Sequence, residues 1–410
     1  MAEVSMELLV ARQPIFDAQM RVFGYEMLFR SSSLNEFDGT EGNTATARVI
    51  SAVFGSAETD QLTGRKNTFI NFPRKMLLEG TASILPPQQT VAEILENVGA
   101  DEDLLDACRA LRGRGYRLAL DDFTVPEKVE ALTSIADFLK VDFRATSVAQ
   151  QMDAATRFKG KVQLLAEKVE TQEEFRRARD LGYEYFQGFF FARPAMSSTR
   201  QIPGFKLQFL RILNELHQPE LNFQKLADLL KREPGLSYKL LRFVNSAWFG
   251  LRSPVESIER ALVSLGEDAA RKWLSVLTMA NLASDQPTEL AIGTLVRARF
   301  FESLARQAGL AQLRDDCFLV GLFSHLDAML GRPLAELVEG LNLHGQITRT
   351  LLDRPHRSDK MPPVWKLVLA YERGDWDALG AIARGRDLKA QTLTDCYAEA
   401  VQWADGAEIA

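Results

Sequence analysis

Histidine is scarce in this chain: His217, His325, His344 and His356 are the only four in 410 residues. They lie far apart and none is followed by aspartate, which argues against zincin, facial-triad and His-Asp metal centres, all of which need clustered imidazoles. A metal site here has to be built from carboxylates and amides, a donor set suited to hard ions such as Mg2+, Ca2+ or Mn2+. Cysteine is rarer still. Cys108, Cys317 and Cys396 stand alone with no C-x-x-C pair, so they are expected as small buried hydrophobes in a reducing compartment. The chain has no apolar run of about 18 residues, so no spanning helix is expected. The start MAEVSMELLVARQPIF lacks a basic segment before its apolar run, so no signal peptide and a cytoplasmic location are expected. Excess positive charge is missing too: 49 Lys and Arg against 55 Asp and Glu give −6, which is not the footprint of a general nucleic-acid binder.

What is present is an ordinary globular composition, 46% hydrophobic and 25% charged, long enough for two or three domains with sizeable cores. The chain changes character near residue 200. Before it, eight β-rich runs (Leu8–Ala11, Val22–Phe29, Thr68–Phe72, Val91–Leu95, Arg117–Phe123, Phe138–Phe143, Gln163–Val169, Tyr183–Phe191) alternate from the third onward with amphipathic stretches such as Glu102–Leu111 and Glu173–Leu181. That alternation predicts a parallel sheet, and eight strands predict a closed barrel. The first two runs are joined by a hairpin-length turn around Asp17–Gln19, so one early strand is predicted antiparallel. After the linker-like stretch 193–199, helical periodicity runs to the end. Leu226, Leu229 and Leu230 share one face, with Pro234-Gly235 expected to end that helix. Leu236, Leu240, Leu241 and Val244 mark the next. The expected domains are a barrel over 1–196 and an all-α bundle of nine to eleven helices over 197–410.

The barrel half places polar residues at the ends of apolar runs: Glu26, Asn71, Glu93, Asp121 with Asp122, Lys140, Glu167 and Gln187. A barrel builds its catalytic face from strand C-termini, and buried charge persists only when paired or metal-bound. Adjacent aspartates, two glutamates and an asparagine form an oxygen-rich nest for one or two Mg2+-like ions, a device suited to phosphodiester cleavage. Lys140 could hold a water or phosphate, and Arg30 could clamp a phosphate bidentately. Each residue alone has a plainer reading, as a loop cap or a satisfied ion pair; the pattern over consecutive strands is what points to one shared site.

These residues resemble the EAL domain, a modified (β/α)8 barrel of cyclic-di-GMP phosphodiesterases, over residues 5–196. The matching motifs are Glu26-Met27-Leu28 with Arg30, Asn71, Glu93-x-x-Glu96, Asp121-Asp122-Phe123, Lys140-Val141-Asp142, Glu167-x-x-Glu170 and Gln187-Gly188. The second half is similar to the HDOD domain, a helical relative of HD phosphohydrolases without their metal motif, through LADLLKREPGLSYKLLRFVNSAWFG, SPVESIERALVSLG and FLVGLFSHLDAML. The resemblance implies two Mg2+ or Mn2+ ions on Glu26, Asn71, Glu93, Asp121 and Asp122. It implies Lys140 on the hydrolytic water, Glu167 as general base or as a water-mediated metal contact, Arg30 and Gln187 toward substrate, and Glu96 and Glu170 as loop anchors. It also implies a homodimer, cyclic-di-GMP as ligand and a protein partner for the HDOD half. One departure stands out. Where the family continues Asp-Asp-Phe with Gly-Thr/Ser-Gly, this chain has Thr124-Val125-Pro126, which removes glycine freedom and an amide donor. The expected function is therefore a barrel that binds cyclic-di-GMP and relays its state through the HDOD half. The alternatives are active hydrolysis to the linear dinucleotide and, last, a helical half that binds DNA through Lys231, Arg232, Lys239 and Arg242.

Overall fold

The computed structural model describes residues 8–31, 62–95, 101–121, 131–193, 202–246, 254–356, 358–386 and 388–407. Eight strands close into a barrel in sequence order: β1 Leu8–Asp17, β2 Val22–Ser31, β3 Asn67–Phe72, β4 Thr90–Ile94, β5 Arg117–Leu120, β6 Phe138–Asp142, β7 Gln163–Glu167 and β8 Tyr185–Gln187. β1 runs antiparallel to both β2 and β8, and every other neighbouring pair is parallel. The predicted hairpin and mixed barrel are therefore present. Asp17 holds the β1–β2 turn, its carboxylate accepting from the backbone N–H of Gln19 and Arg21, both at 2.9 Å.

Strand alternation sorts the barrel into layers. Ile15, Phe69, Val91, Ala119, Phe138 and Leu165 form an apolar plug inside the barrel, with Phe23 and Tyr185 against it. Opposite-facing residues such as Ile70, Ala92, Leu118, Leu139 and Leu164 join the larger core outside the strands. Among the helices packed there are α1 Arg74–Leu78, α2 Glu102–Gly113, α3 Val148–Phe158 and α4 Gln172–Leu181. Their starts are written locally. Asp101 caps α2, and capping boxes Ser147/Gln150 and Thr171/Glu174 open α3 and α4, satisfying amides that the first turn leaves unpaired.

From Gly204 onward the described residues hold thirteen α-helices, more than the expected nine to eleven. They are α5 Gly204–Leu216, α6 Phe223–Leu230, α7 Pro234–Val244, α8 Ile258–Leu265, α9 Glu267–Leu282, α10 Thr288–Gln307, α11 Arg314–Phe323, α12 Leu326–Leu330, α13 Leu334–Glu339, α14 Gly345–Leu351, α15 Met361–Glu372, α16 Trp376–Arg384 and α17 Ala390–Gly406. Pro234 opens α7 rather than ending α6, which stops at Leu230. Proline suits a first helical turn because its missing N–H would be unpaired there anyway.

The chain divides into two compact units. The helical one runs mainly over Pro194–Ala305 and Leu310–Pro362. The barrel unit takes in Pro363–Gly406 as well, a segment that the expected boundary near 196 had assigned to the helical half. The β1–β2 hairpin has no crossover helix of its own, and this C-terminal segment packs on it. The Tyr371 hydroxyl donates to the Val10 carbonyl at 2.8 Å, and Arg12 reaches both Asp405 carboxylate oxygens at 3.1 Å while its guanidinium lies 4.5 Å from the Tyr25 ring centroid. Tyr371 is fully buried. Among the described residues, no helix is long and apolar enough to cross a membrane.

Candidate active site

Two residues beyond the apolar plug, each parallel strand from β3 to β8 presents a polar side chain on the same inner face. Phe69 is followed by Asn71, Val91 by Glu93, Ala119 by Asp121, Phe138 by Lys140, Leu165 by Glu167 and Tyr185 by Gln187. β2 adds Glu26, whose neighbour across the hairpin is Gln13. The polar layer thus sits on an apolar floor at the strand C-termini, where barrel enzymes keep their chemistry.

Lys140 is its centre. Its Nζ lies 2.6 Å from Glu93 Oε1, 2.7 Å from Glu167 Oε1, 3.0 Å from Asp121 Oδ1 and 3.4 Å from Glu26 Oε2. An ammonium has three protons, so four carboxylates cannot all be served. Glu93 is the most deeply buried of the four, and neither of its oxygens has an aligned donor, although Oε1 keeps Lys140 as a charge partner. Glu26 is instead held from three sides, accepting from Asn71 Nδ2 at 3.2 Å, Gln187 Nε2 at 2.8 Å and Lys140. Gln187 Nε2 also donates to Gln13 Oε1 at 2.7 Å.

Burial, followed by repulsion from Glu26, Asp121 and Glu167, raises Glu93 well above the usual carboxylate range against the pull of Lys140. Burial also raises Glu167, with Asp121 and Glu26 adding to it and Lys140 opposing. For Lys140 burial works downward, but Glu167, Glu26, Glu93 and Asp121 together more than reverse it and raise the amine. The cluster is short of positive charge: four carboxylates face one ammonium.

That shortage, with the buried and unserved oxygens of Glu93 and Asn71, fits the donor chemistry of a hard divalent cation. Among the described residues, no three carboxylate, imidazole or thiolate groups stand together as a ready-made ligand set.

Of the other expected site residues, Arg30 lies outside this cluster, exposed, with Nη1 2.8 Å from Asp377 Oδ1 of α16. Glu170 pairs with Arg144 and, at 2.7 Å, with Arg193. Asp122, Glu96 and the stretch Thr124-Val125-Pro126 fall outside the described residues. Sequence reading missed Gln13. It also missed the supporting pair Lys168–Asp142, 2.5 Å apart, which bridges β6 and the exit of β7. Gly188 holds the adjoining turn. Its φ is +138°, and a Cβ there would stand 2.1 Å from the Val169 carbonyl oxygen. Gly188→Ala is expected to destabilise the barrel by on the order of 3 kcal/mol through clash and strain, read as a lowered denaturation midpoint; an unchanged midpoint would show that the β8 turn relaxes freely.

The four histidines are all in the helical unit and lie apart. His217 meets Ser275 at 3.1 Å, His325 meets Thr294 at 2.9 Å, His344 meets Asp316 at 3.3 Å and His356 meets Ser358 at 2.8 Å. Burial pushes His217 down to about 4 and His325 well below its usual value. Both are satisfied core imidazoles.

The EAL domain family matches residues 58–194 and the HDOD domain family residues 202–333. The cyclic di-GMP phosphodiesterase CdgJ of Vibrio cholerae is 35% identical over 378 residues, 90% of this chain and 86% of CdgJ. The uncharacterized protein YuxH of Bacillus subtilis is 32% identical over 408 residues, 97% of this chain and 98% of YuxH. Among solved structures, a calcium and cyclic-di-GMP complex of BlrP1 from Klebsiella pneumoniae matches at 25% identity and TM-score 0.39, over 47% of this chain and 58% of that one. An EAL domain protein from Listeria monocytogenes matches at 22% identity and TM-score 0.37, over 45% and 87%. With two relatives aligned across nearly its whole length, and both domain families matched in the same order, the chain belongs to the family of proteins that join an EAL domain to an HDOD domain.

Proposed function

We propose that the barrel binds cyclic-di-GMP together with Mg2+ or Mn2+ and hydrolyses it to the linear dinucleotide, and that the HDOD half passes the barrel's state to a protein partner. The observation that supports hydrolysis most is the joined layer of Glu26, Asn71, Glu93, Asp121, Lys140 and Glu167, which is short of positive charge and carries unserved oxygens. A chain kept only as a passive binder has no need to retain so costly a cluster.

In this reading Glu26, Asn71, Glu93, Asp121 and Asp122 hold two ions. When bound, these lower the pKa of water and neutralise charge on the phosphate. The chain's own residues do the rest. Asn71 and Gln187 fix the Glu26 carboxylate. Lys140 supplies an ammonium within reach of the reacting water. Glu167, whose carboxyl is raised by burial, takes a proton from the water as its oxygen bonds to phosphorus, and the leaving ester oxygen takes a proton from solvent as the P–O bond breaks. Arg30 faces the substrate phosphate at the rim.

A second reading, binding without turnover, draws its support from Thr124-Val125-Pro126 in place of the family's glycines. The DNA-binding alternative has less behind it, because Lys231 is engaged by Glu259 at 2.5 Å and Asp228 at 3.3 Å. Liquid chromatography of cyclic-di-GMP incubated with the full chain and Mg2+ or Mn2+ separates the first two. Multiple turnover abolished by Glu26→Ala supports hydrolysis. Saturable binding without product under any divalent ion supports the relay alone.

A further inference from the structure

The turn between α15 and α16 touches the rim of the barrel mouth at three places. Gly374, at φ +65°, lies so close to β2 that a Cβ on it would stand 2.7 Å from Leu28 Cδ1. The Arg373 guanidinium lies 6.0 Å from the ring centroid of Phe189, two residues after Gln187. Asp377, in the first turn of α16, pairs with Arg30 at 2.8 Å, the aspartate side chain 88% exposed. The segment is not loosely draped. Tyr371 beneath it is fully buried, packs at 5.0 Å on Tyr397 and 5.5 Å on Trp376, and donates to the Val10 carbonyl. This segment lies beyond both matched domain families, the later of which ends at residue 333.

A carboxylate on an arginine that is to receive a phosphate is a competitor for it. Both anions seek the same planar donor fork, and an exposed pair of this kind is weak enough to exchange. We propose that Asp377 is an internal competitor for Arg30, so that the α15–α16 turn sets how tightly the barrel takes a phosphodiester. The proposal rests on the reading of Arg30 as a phosphate contact. The alternative role for Asp377 is purely helical: an acidic residue in a first turn is favoured by the helix dipole. That role predicts no effect on ligand affinity.

The test uses the full chain with cyclic-di-GMP and Mn2+, measuring Kd by titration and, where product forms, KM and kcat. Asp377→Asn is expected to tighten Kd and lower KM by about two- to fivefold with kcat within twofold. Asp377→Glu, which keeps the charge, restores values near those of the natural chain. In an Arg30→Ala background, Asp377→Asn is expected to change nothing. Unaltered affinity in Asp377→Asn, or the same gain with and without Arg30, overturns the proposal while leaving the proposed function standing. If neither the natural chain nor Asp377→Asn binds cyclic-di-GMP at any concentration, the proposed function fails and this inference with it. Binding that appears only in Asp377→Asn supports both.

Discussion

Lys140→Met is expected to cost the ion-free protein on the order of 3–5 kcal/mol at neutral pH, because it leaves four carboxylates facing one another in the barrel mouth without a cation. The ammonium is fully buried and within 3.4 Å of all four, so no water shell replaces it. The sign of the pH dependence follows from the raised carboxyls. A group whose folded pKa is raised contributes stability below its unfolded value and loses it as pH climbs through the folded one. Without Lys140 the Glu93 and Glu167 carboxyls lose the partner that opposes their rise, so the deficit is largest above neutrality and shrinks as pH falls toward the ordinary glutamate range, where they take protons. Divalent ions are expected to recover part of the loss by mass action, about 2.7 kcal/mol at a hundredfold excess over Kd. Denaturant unfolding at several pH values, with and without Mn2+, measures this. A Lys140→Met protein as stable as the natural one at neutral pH would mean that the carboxylates do not share the cluster that the distances describe.

The second large effect runs the other way. Glu93→Gln removes a fully buried carboxylate whose oxygens have no aligned donor. Glu93 is raised by burial and then by its acidic neighbours, so in its charged form it opposes folding at neutral pH, and each unit of that rise is worth about 1.4 kcal/mol. The amide keeps the shape and removes the charge. The ion-free variant is therefore expected to be more stable than the natural chain at neutral pH, with the gain vanishing in acid as Glu93 itself becomes neutral. The same change is expected to lower divalent-ion binding and turnover by about a hundredfold or more. A protein made sturdier and inactive by one atom type is the expected signature of a site that holds unfavourable charge for its function. Equal stability of the two chains across pH would contradict it.

Much of this site was legible because its strands are parallel. A polar residue two positions past a buried apolar one, repeated as Phe69–Asn71, Val91–Glu93, Phe138–Lys140 and Leu165–Glu167, is a statement about one face of a pleated sheet. Chain order alone then predicts convergence. Gln13 escaped the same logic because β1 is antiparallel: on that strand the layer above Ile15 lies two residues earlier, not later. The hairpin itself was readable from the short Asp17–Gln19 turn. The placement of α15 to α17 was not. Their apolar faces have the same periodicity as those of the other helices, and nothing in that pattern says which core they join. What fixes them to the barrel is long-range and side-chain specific: the Tyr371 and Tyr397 hydroxyls on the β1 backbone and Arg12 on Asp405. The Arg30–Asp377 pair is a consequence of that docking and was invisible for the same reason. The division of the second half into more helices than expected has a local cause: Ser324 and His325 interrupt what reads as one helix over 315–330, leaving α11 and α12.

Isothermal titration of Mn2+ into the ion-free full chain, repeated in buffers of different ionisation enthalpy at mildly acidic and mildly alkaline pH, is the most direct measurement of the central claim. Glu93 and Glu167 hold protons more tightly than ordinary carboxyls and must give them up to serve an ion. The account predicts saturable binding with proton release that is larger at the acidic pH and strongly reduced in Glu93→Gln. Binding with no proton release at either pH, or identical binding in Glu93→Gln, would contradict it.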